Sequence, residues 1–437
     1  MIFARGFGIR GIDNPAPVTT RTRFMIGSAT KPLTTLMMAR LIDQGKLNWS
    51  TPIVELLSDF ALADPEATQR IQLKHAVSNS TGMPHRNLEF VFRHSGITAE
   101  ARLAELKNMR PTTDVGTAFQ YSNLMFSTGG YAAARAFAAK GPLEDAFEQA
   151  VTDLVFTPLE MNDTFLRPEL ALQREVAFPH SVNWEAGTST ISLQLERACY
   201  HGMAPAGAVW STAPDLAKYL LLELGQGRTP DGTQLVSEEA LLARRKESIR
   251  IDRNFSYGMG LALTEEQGFR VIYHSGNTLG FSTDLYCLPE EGFAFAVLTN
   301  LRPATHLLQA IREKLFELAL GAEPKAEETL QAGLKKKAWT ARTNSWVITD
   351  APSMTWVDPL LGMYRSKELG SANIIKREGR YWVQFEEWAS ALGAEIRSDG
   401  ARLLYQTTPP WCGSKMLVAE SGDLVLDAGE IKYVFQR

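Results

Sequence analysis

The sequence predicts an α+β fold, an antiparallel sheet flanked by helices with a helical insertion, followed by a small antiparallel β-barrel. Three features of the 437 residues carry that expectation. Helical periodicity dominates from about residue 30 to residue 225. From Tyr257 the apolar pattern shortens to period two, in successive runs at 259–263, 269–274, 282–288 and 293–300. Their turns are marked by Glu266-Gln267-Gly268, the 276–280 stretch and Pro289-Glu290-Glu291-Gly292. Beyond Trp346 only short alternating runs remain, at 374–375, 381–385, 402–405, 415–418, 424–426 and 431–435, separated by Gly-containing turns.

In chain order, residues 2–9 alternate like a strand that ends near Gly11 and would feed the sheet. Leu33, Leu36, Met37, Arg40 and Leu41 then fall at the spacing of an amphipathic helix, running to about Gln44 before Gly45 breaks it. Short helices are expected at 52–57 and 72–77, then a turn-rich loop at 78–84. An Ala-rich helix is expected at 124–139, another at 144–155, and one after Thr212 with Ala217, Leu220, Leu221 and Leu224 on its apolar face. A closing helix at 304–320 leads into a Glu/Lys/Ala-rich linker helix or tether at 321–337. The expected division is a domain at 1–322, a linker at 323–345 and a β-barrel domain at 346–437.

Bulk composition narrows the function classes. At 45% hydrophobic and 22% charged residues the chain has globular composition. A net charge of −4 and a pI near 6.1 point to no nucleic-acid partner. No apolar run is long enough for a transmembrane segment. Cys199, Cys287 and Cys412 form no metal or redox motif, and the seven histidines lack ligand spacing, so no metal and no cofactor are expected. The first ten residues lack the apolar core of a secretory signal.

The chemistry-bearing stretch is 24–34. Ser28 and Lys31 stand three apart at the start of a helical pattern, so the amine can reach the hydroxyl. A serine needs a neighbouring base to act as a nucleophile, and a lysine is a base only if its environment leaves it neutral. Alone the pair is a weak signal, since Ser28 would serve equally as a helix cap and Lys31 as a solvated side chain. Tyr121-Ser122-Asn123 and His274-Ser275-Gly276 follow in order. Singly, each also has an ordinary reading: a core tyrosine, an N-cap asparagine, a structural histidine.

Together these stretches resemble the serine β-lactamase-like superfamily, which includes class C β-lactamases, penicillin-binding proteins, D-aminopeptidases and related esterases. Residues 24–34 resemble the family's nucleophile segment almost throughout. Residues 78–84 resemble its His-Thr-Ser-Gly-Leu-Pro loop, with Asn79 where histidine is usual, and 156–164 resemble Pro-Leu-Gly-Met-x-Asp-Thr, with Glu160 for glycine. The likeness extends over about residues 1–320. It implies that Ser28 is acylated, that Lys31 and Tyr121 share proton transfer, and that Asn123 bonds Lys31 or substrate. It counts His274 with these among the catalytic residues and makes the backbone N–H groups of Ser28 and Asn277 the oxyanion hole. It also implies that a helix and a strand usually found before this point are missing, which leaves cytoplasmic and exported locations both open. The terminal β-domain resembles, in architecture only, lipocalin-like barrels appended to some D-aminopeptidases.

The expected function is therefore a serine hydrolase acting on a small-molecule ester, amide or peptide substrate, with short-chain esters favoured. A lysine is usual where His274 stands in penicillin-recognising relatives, and a mostly neutral imidazole would hold a β-lactam carboxylate poorly. A β-lactamase or D-amino-acid-specific peptidase is the alternative on the same site. A catalytically weak binding or assembly protein is the alternative class, against which the joint presence of Ser28, Lys31 and Tyr121 argues.

Overall fold

The computed structural model describes residues 3–198, 202–349, 351–429 and 431–437. Its organising element is the helix Thr30–Asp43, entered through a single 3-10 turn at Gly27–Ala29. Pro32 sits in the first helical turn, where a missing N–H costs no intrahelical bond. The expected amphipathic helix is instead buried on nearly every side: Leu33, Leu36, Met37, Met38, Ala39 and Leu41 have no exposed surface. Its polar residues survive burial because each is bonded. Thr34 Oγ1 donates to Pro205 O (2.8 Å), and Thr30 Oγ1 accepts from Val209 N (3.2 Å).

The sheet against this helix is a six-stranded antiparallel meander, Ile249–Arg250, Phe255–Tyr257, Ala262–Glu266, Phe269–Asn277, Ser282–Leu288 and Phe293–Thr299, with spatial order following chain order. Short turns and period-two patterning make neighbours in sequence neighbours in the sheet. The expected N-terminal strand is not there. Residues 3–8 form no strand, Phe3 and Phe7 are exposed, and Ile9 makes only an isolated bridge to Pro17. Alternation supplies a strand-compatible face but no partner edge, and a strand without one is not stable.

The remaining helices fall within a few residues of expectation: Asn123–Arg135, Leu143–Val151, Ala213–Leu224 and Thr305–Leu320. A hairpin of His180–Asn183 with Gly187–Thr190, extended by Leu301–Arg302, had no counterpart in the sequence reading. Helix Ala326–Thr349 lies across Thr305–Leu320, with Gly333 admitting the His306 side chain.

Residues 362–435 form eight antiparallel strands, two more than the alternating runs indicate, nearly closed into a barrel. The first and last strands meet where Arg365 N donates to Gln436 O (2.7 Å) and Gln436 N to Arg365 O (2.9 Å). The barrel core is not made of barrel residues alone. Val91 and Phe92 from the short helix Leu88–Phe92, together with Ile191 and Leu279, belong to the same apolar cluster. Phe92 packs edge-on against Phe385 (4.7 Å) and Trp388 (5.2 Å).

Candidate active site

Backbone geometry sets the nucleophile first. Gly27 has φ +54°, a left-handed conformation open to glycine, and it turns the chain so that Ser28 begins the helical segment facing a cavity of about 560 Å³. The end of strand Phe269–Asn277 lies directly against this turn. A Cβ on Gly276 would stand 1.8 Å from Ile26 O, and one on Gly27 would stand 2.9 Å from Asn277 N. The backbone of Asn277 thus lies beside the Ser28 turn, the placement an oxyanion pair needs.

Lys31, the second residue of the helix, has no exposed surface. Its Nζ contacts Ser28 Oγ (2.9 Å), Asn123 Oδ1 (2.7 Å) and Ala206 O (2.9 Å). It also stands over the rings of Tyr121 (4.8 Å) and Phe126 (5.2 Å). Burial holds the ammonium well below the ordinary lysine value, which favours the neutral amine. A neutral amine has two N–H donors and one lone pair. The two carbonyl oxygens of Asn123 and Ala206 can only accept, so they take the two donors and the lone pair faces Ser28 Oγ. The approach of Ala206 depends on a small residue elsewhere: a Cβ on Gly130 would meet Pro205 Cβ at 2.4 Å and push that turn away.

Tyr121 donates from its phenol to Ser28 Oγ (2.7 Å). Burial raises this phenol above its ordinary value, so it stands as a proton donor at neutral pH. Asn79 holds the segment in place, its carbonyl accepting from Gln120 N (2.8 Å) and its Oδ1 from Ser122 N (3.0 Å). Asn79 adopts φ +56°, a conformation asparagine tolerates better than most residues. Ser122, rather than Asn123, caps the following helix through Met125 N (3.4 Å). That leaves the Asn123 amide for the site.

A directed relay then locks Asn123. Its Nδ2 donates to Asn87 Oδ1 (3.0 Å), Asn87 Nδ2 to His85 Nε2 (2.5 Å), and His85 Nδ1 to the Tyr121 carbonyl (2.8 Å). Each bond dictates the orientation of the next, so Asn123 presents its oxygen to Lys31.

His274 lines the same cavity but does not contact Ser28 or Lys31 through any hydrogen bond. Its Nδ1 faces Ser275 O (2.7 Å), so the proton sits there, and Nε2 accepts from the Tyr257 phenol (2.8 Å). Burial pushes the imidazole down to about 3, leaving it uncharged near pH 7. Of the residues singled out in sequence, Ser28, Lys31, Tyr121 and Asn123 converge at bonding distance, and Asn277 and His274 flank them. His85, Asn87, Tyr257 and the Ala206 carbonyl were not assigned roles. His85 and Asn87 follow immediately on Pro84 of the 78–84 loop, the one local signal that could have drawn attention to them. Among the described residues, no three His, Cys, Asp or Glu side chains cluster as metal ligands, and no helix is long and apolar enough to cross a membrane.

A buried lysine amine at bonding distance from a serine hydroxyl, on a helix packed under an antiparallel sheet, defines a class of serine hydrolase fold. A family model described as Beta-lactamase matches residues 1–320, and the chain belongs to that family. It is similar to an unguisins hydrolase of Aspergillus campestris, 26% identical over 80% of this chain and 67% of that protein. It is also similar to penicillin-binding protein 4 of Amycolatopsis lactamdurans, 27% identical over 69% of this chain and 78% of that protein. The octameric penicillin-binding protein homologue from Pyrococcus abyssi shares the fold across 99% of this chain and 93% of its own, with TM-score 0.64 at 18% identity. That likeness includes the barrel.

Proposed function

We propose that the protein hydrolyses esters and small amides through an acyl-enzyme on Ser28. The observation that carries this is the set of Lys31 Nζ contacts: Asn123 Oδ1 and Ala206 O can only accept, so a neutral amine spends both N–H bonds on them and keeps its lone pair for the Ser28 hydroxyl. Ser28 Oγ bonds to the substrate carbonyl carbon while its proton passes to Lys31 Nζ. The oxyanion forms at the backbone N–H groups of Ser28 and Asn277. As the intermediate collapses, the bond to the leaving group breaks and Tyr121 supplies its proton, recovering one from Lys31. Water then attacks the acyl ester, delivering a proton through Tyr121 and restoring Ser28. Asn123 orients Lys31, and His274 orients Tyr257 at the cavity wall.

Short esters are the favoured substrates over β-lactams, because the uncharged His274 offers no fixed cation and both its nitrogens are engaged. The names of the relatives, a hydrolase and a penicillin-binding protein, keep amides within the substrate range. The test is incubation with a fluorophosphonate and mass mapping of the adduct, alongside kcat/KM for p-nitrophenyl butyrate, nitrocefin and D-alanine p-nitroanilide. Labelling at Ser28 that Ser28→Ala abolishes is expected. A labelled Ser28→Ala protein would overturn the nucleophile assignment, and nitrocefin outrunning the ester would overturn the preference for esters.

A further inference from the structure

The relay behind Asn123 begins at an exposed histidine, and its direction is set from that end. The Tyr121 carbonyl can only accept, so His85 Nδ1, 2.8 Å away, carries the proton and Nε2 is left as an acceptor. Asn87 must then turn its Nδ2 to His85 (2.5 Å) and its Oδ1 to Asn123 Nδ2 (3.0 Å). That leaves Asn123 its oxygen for Lys31 (2.7 Å). The protonation of an exposed imidazole thus decides which atoms of Lys31 remain for Ser28.

Asn87 is set aside for this task. It stands at the N-cap of Leu88–Phe92, where an asparagine ordinarily bonds the first turn, yet its side chain makes no cap bond. The segment beyond it is tied to the barrel. Phe92 lies in the barrel core, and Glu387 Oε1 accepts from His94 N (3.1 Å) and Ser95 N (2.9 Å). The relay therefore has an anchored middle and one end open to water.

A proton added at His85 Nε2 points at the hydrogens of the Asn87 amide. Two donors then face each other, and the conflict is relieved when Asn87 turns its Oδ1 to His85. Its Nδ2 now meets Asn123 Nδ2, so Asn123 turns as well and presents Nδ2 to Lys31. The Lys31 lone pair is drawn to that donor, and an N–H is left facing Ser28. Among the described residues, the charged and titratable groups around His85 are these. Arg86 and Glu89, on its own segment, pair at 2.7 Å and adjoin Tyr433 of the barrel. The Tyr121 ring lies 6.0 Å away, Lys31 stands at the far end of the relay, and His274 and Arg302 line the same cavity.

We propose that His85 is a positioning residue for proton transfer at Ser28. Neutral, it turns the Asn123 oxygen to Lys31 and the base is available; protonated, it reverses the relay and withdraws the Lys31 lone pair. This rests on the acyl-enzyme reading of Ser28 and extends it to how the base is held and how it responds to pH. His85 acts through Asn87 and Asn123.

The test is the acid limb of log kcat/KM against pH for p-nitrophenyl butyrate, with folding followed by circular dichroism at each pH. Wild-type activity requires two deprotonated groups, His85 and Lys31, whereas His85→Gln requires one. The glutamine amide donates to the Tyr121 carbonyl and accepts from Asn87 as the neutral imidazole does, and it does not titrate. The limiting slope of the acid limb should therefore fall by about one in His85→Gln. His85→Leu fills the space without either bond; it should lower kcat by about 10-fold or more with KM little changed, and His85→Gln should recover most of that loss. In wild-type protein carrying 13C-labelled histidine, the resonance that His85→Gln removes should titrate at a break in the rate profile. The same slope in wild type and His85→Gln, a His85 resonance that titrates where the profile has no break, or a fully active His85→Leu would overturn the relay with ester turnover intact. Absence of turnover and of Ser28 labelling at every pH would instead overturn the acyl-enzyme reading, and the relay with it.

Discussion

Replacing Gly276 by alanine tests the geometry on which the oxyanion assignment stands. The added Cβ would lie 1.8 Å from Ile26 O, and contacts under 3.0 Å are essentially absent between real Cβ atoms and their neighbours. The strand and the Ser28 turn must therefore part by more than about 1 Å, because both sides are backbone and neither can rotate away. Neither is free to yield cheaply. Strand Phe269–Asn277 is paired on both edges, Gly276 opposite Thr283 and Tyr273 opposite Ala262, while Ile26 N is bonded to Val209 O (2.9 Å). Overpacking of this kind costs about 1–3 kcal/mol or more of stability. A misplacement of about 1 Å at reacting groups costs on the order of 100-fold in rate. The assay is the rate of fluorophosphonate labelling at Ser28 together with kcat/KM for p-nitrophenyl butyrate, measured well below the melting temperature of the variant. Both should fall about 100-fold or more, with kcat carrying most of the loss because the oxyanion contact is made only in the transition state. A folded Gly276→Ala protein labelled at the wild-type rate would refute the claim that Asn277 N–H and Ser28 N–H act as a pair.

Further outcomes follow at three other positions. Lys31→Arg places a permanently charged guanidinium where a neutral base is needed, so kcat/KM should fall by about 100- to 10,000-fold. In the wild type, kcat/KM should rise with pH through a value well below the ordinary lysine range, since burial holds Lys31 low; a rise that begins only near pH 10 would show that burial does not hold the Lys31 amine low. Phe92→Ala removes a side chain that is 1% exposed and sits between Phe385 and Trp388, which should cost about 3–5 kcal/mol in urea unfolding. Because Asn87, Phe90 and Val91 on the same segment line the cavity, KM for esters should rise while Ser28 labelling persists; unchanged stability would mean that the barrel does not hold that segment. Glu196→Gln should alter the pH dependence of stability. Burial raises this carboxyl from 4.5 to about 7, so the folded state binds the extra proton between those values. Wild-type stability relative to the variant should therefore be highest below about pH 4.5 and fall as pH rises to about 7, by an amount on the order of 3 kcal/mol. A difference independent of pH between 4 and 8 would contradict this.

Ser28, Lys31, Tyr121 and Asn123 were legible because each sits in a short stretch whose local pattern survives in isolation. A helical start marks Ser28 and Lys31, the entry to an Ala-rich helix marks Tyr121 and Asn123, and the likeness of residues 24–34 to known nucleophile segments ties them together. The meander from Phe255 to Thr299 and the presence of a terminal barrel were legible for a similar reason, since alternation and tight turns are encoded within a few residues. What alternation could not decide is whether a run finds a partner. Residues 3–8 alternate as well as several barrel strands do, yet they pair with no sheet edge, and Phe3 and Phe7 are exposed.

Only the tertiary structure shows that the nucleophile helix is enclosed on almost every side, and this is what allows Lys31 to be neutral. It alone brings His85 and Asn87 to Asn123, Tyr257 to His274, and Trp411 of the barrel to Arg302. Periodicity reports which face of an element is apolar, but the charge state of a buried group depends on everything packed around it. Those neighbours are set by chain segments tens to hundreds of residues away, and no local pattern encodes their approach.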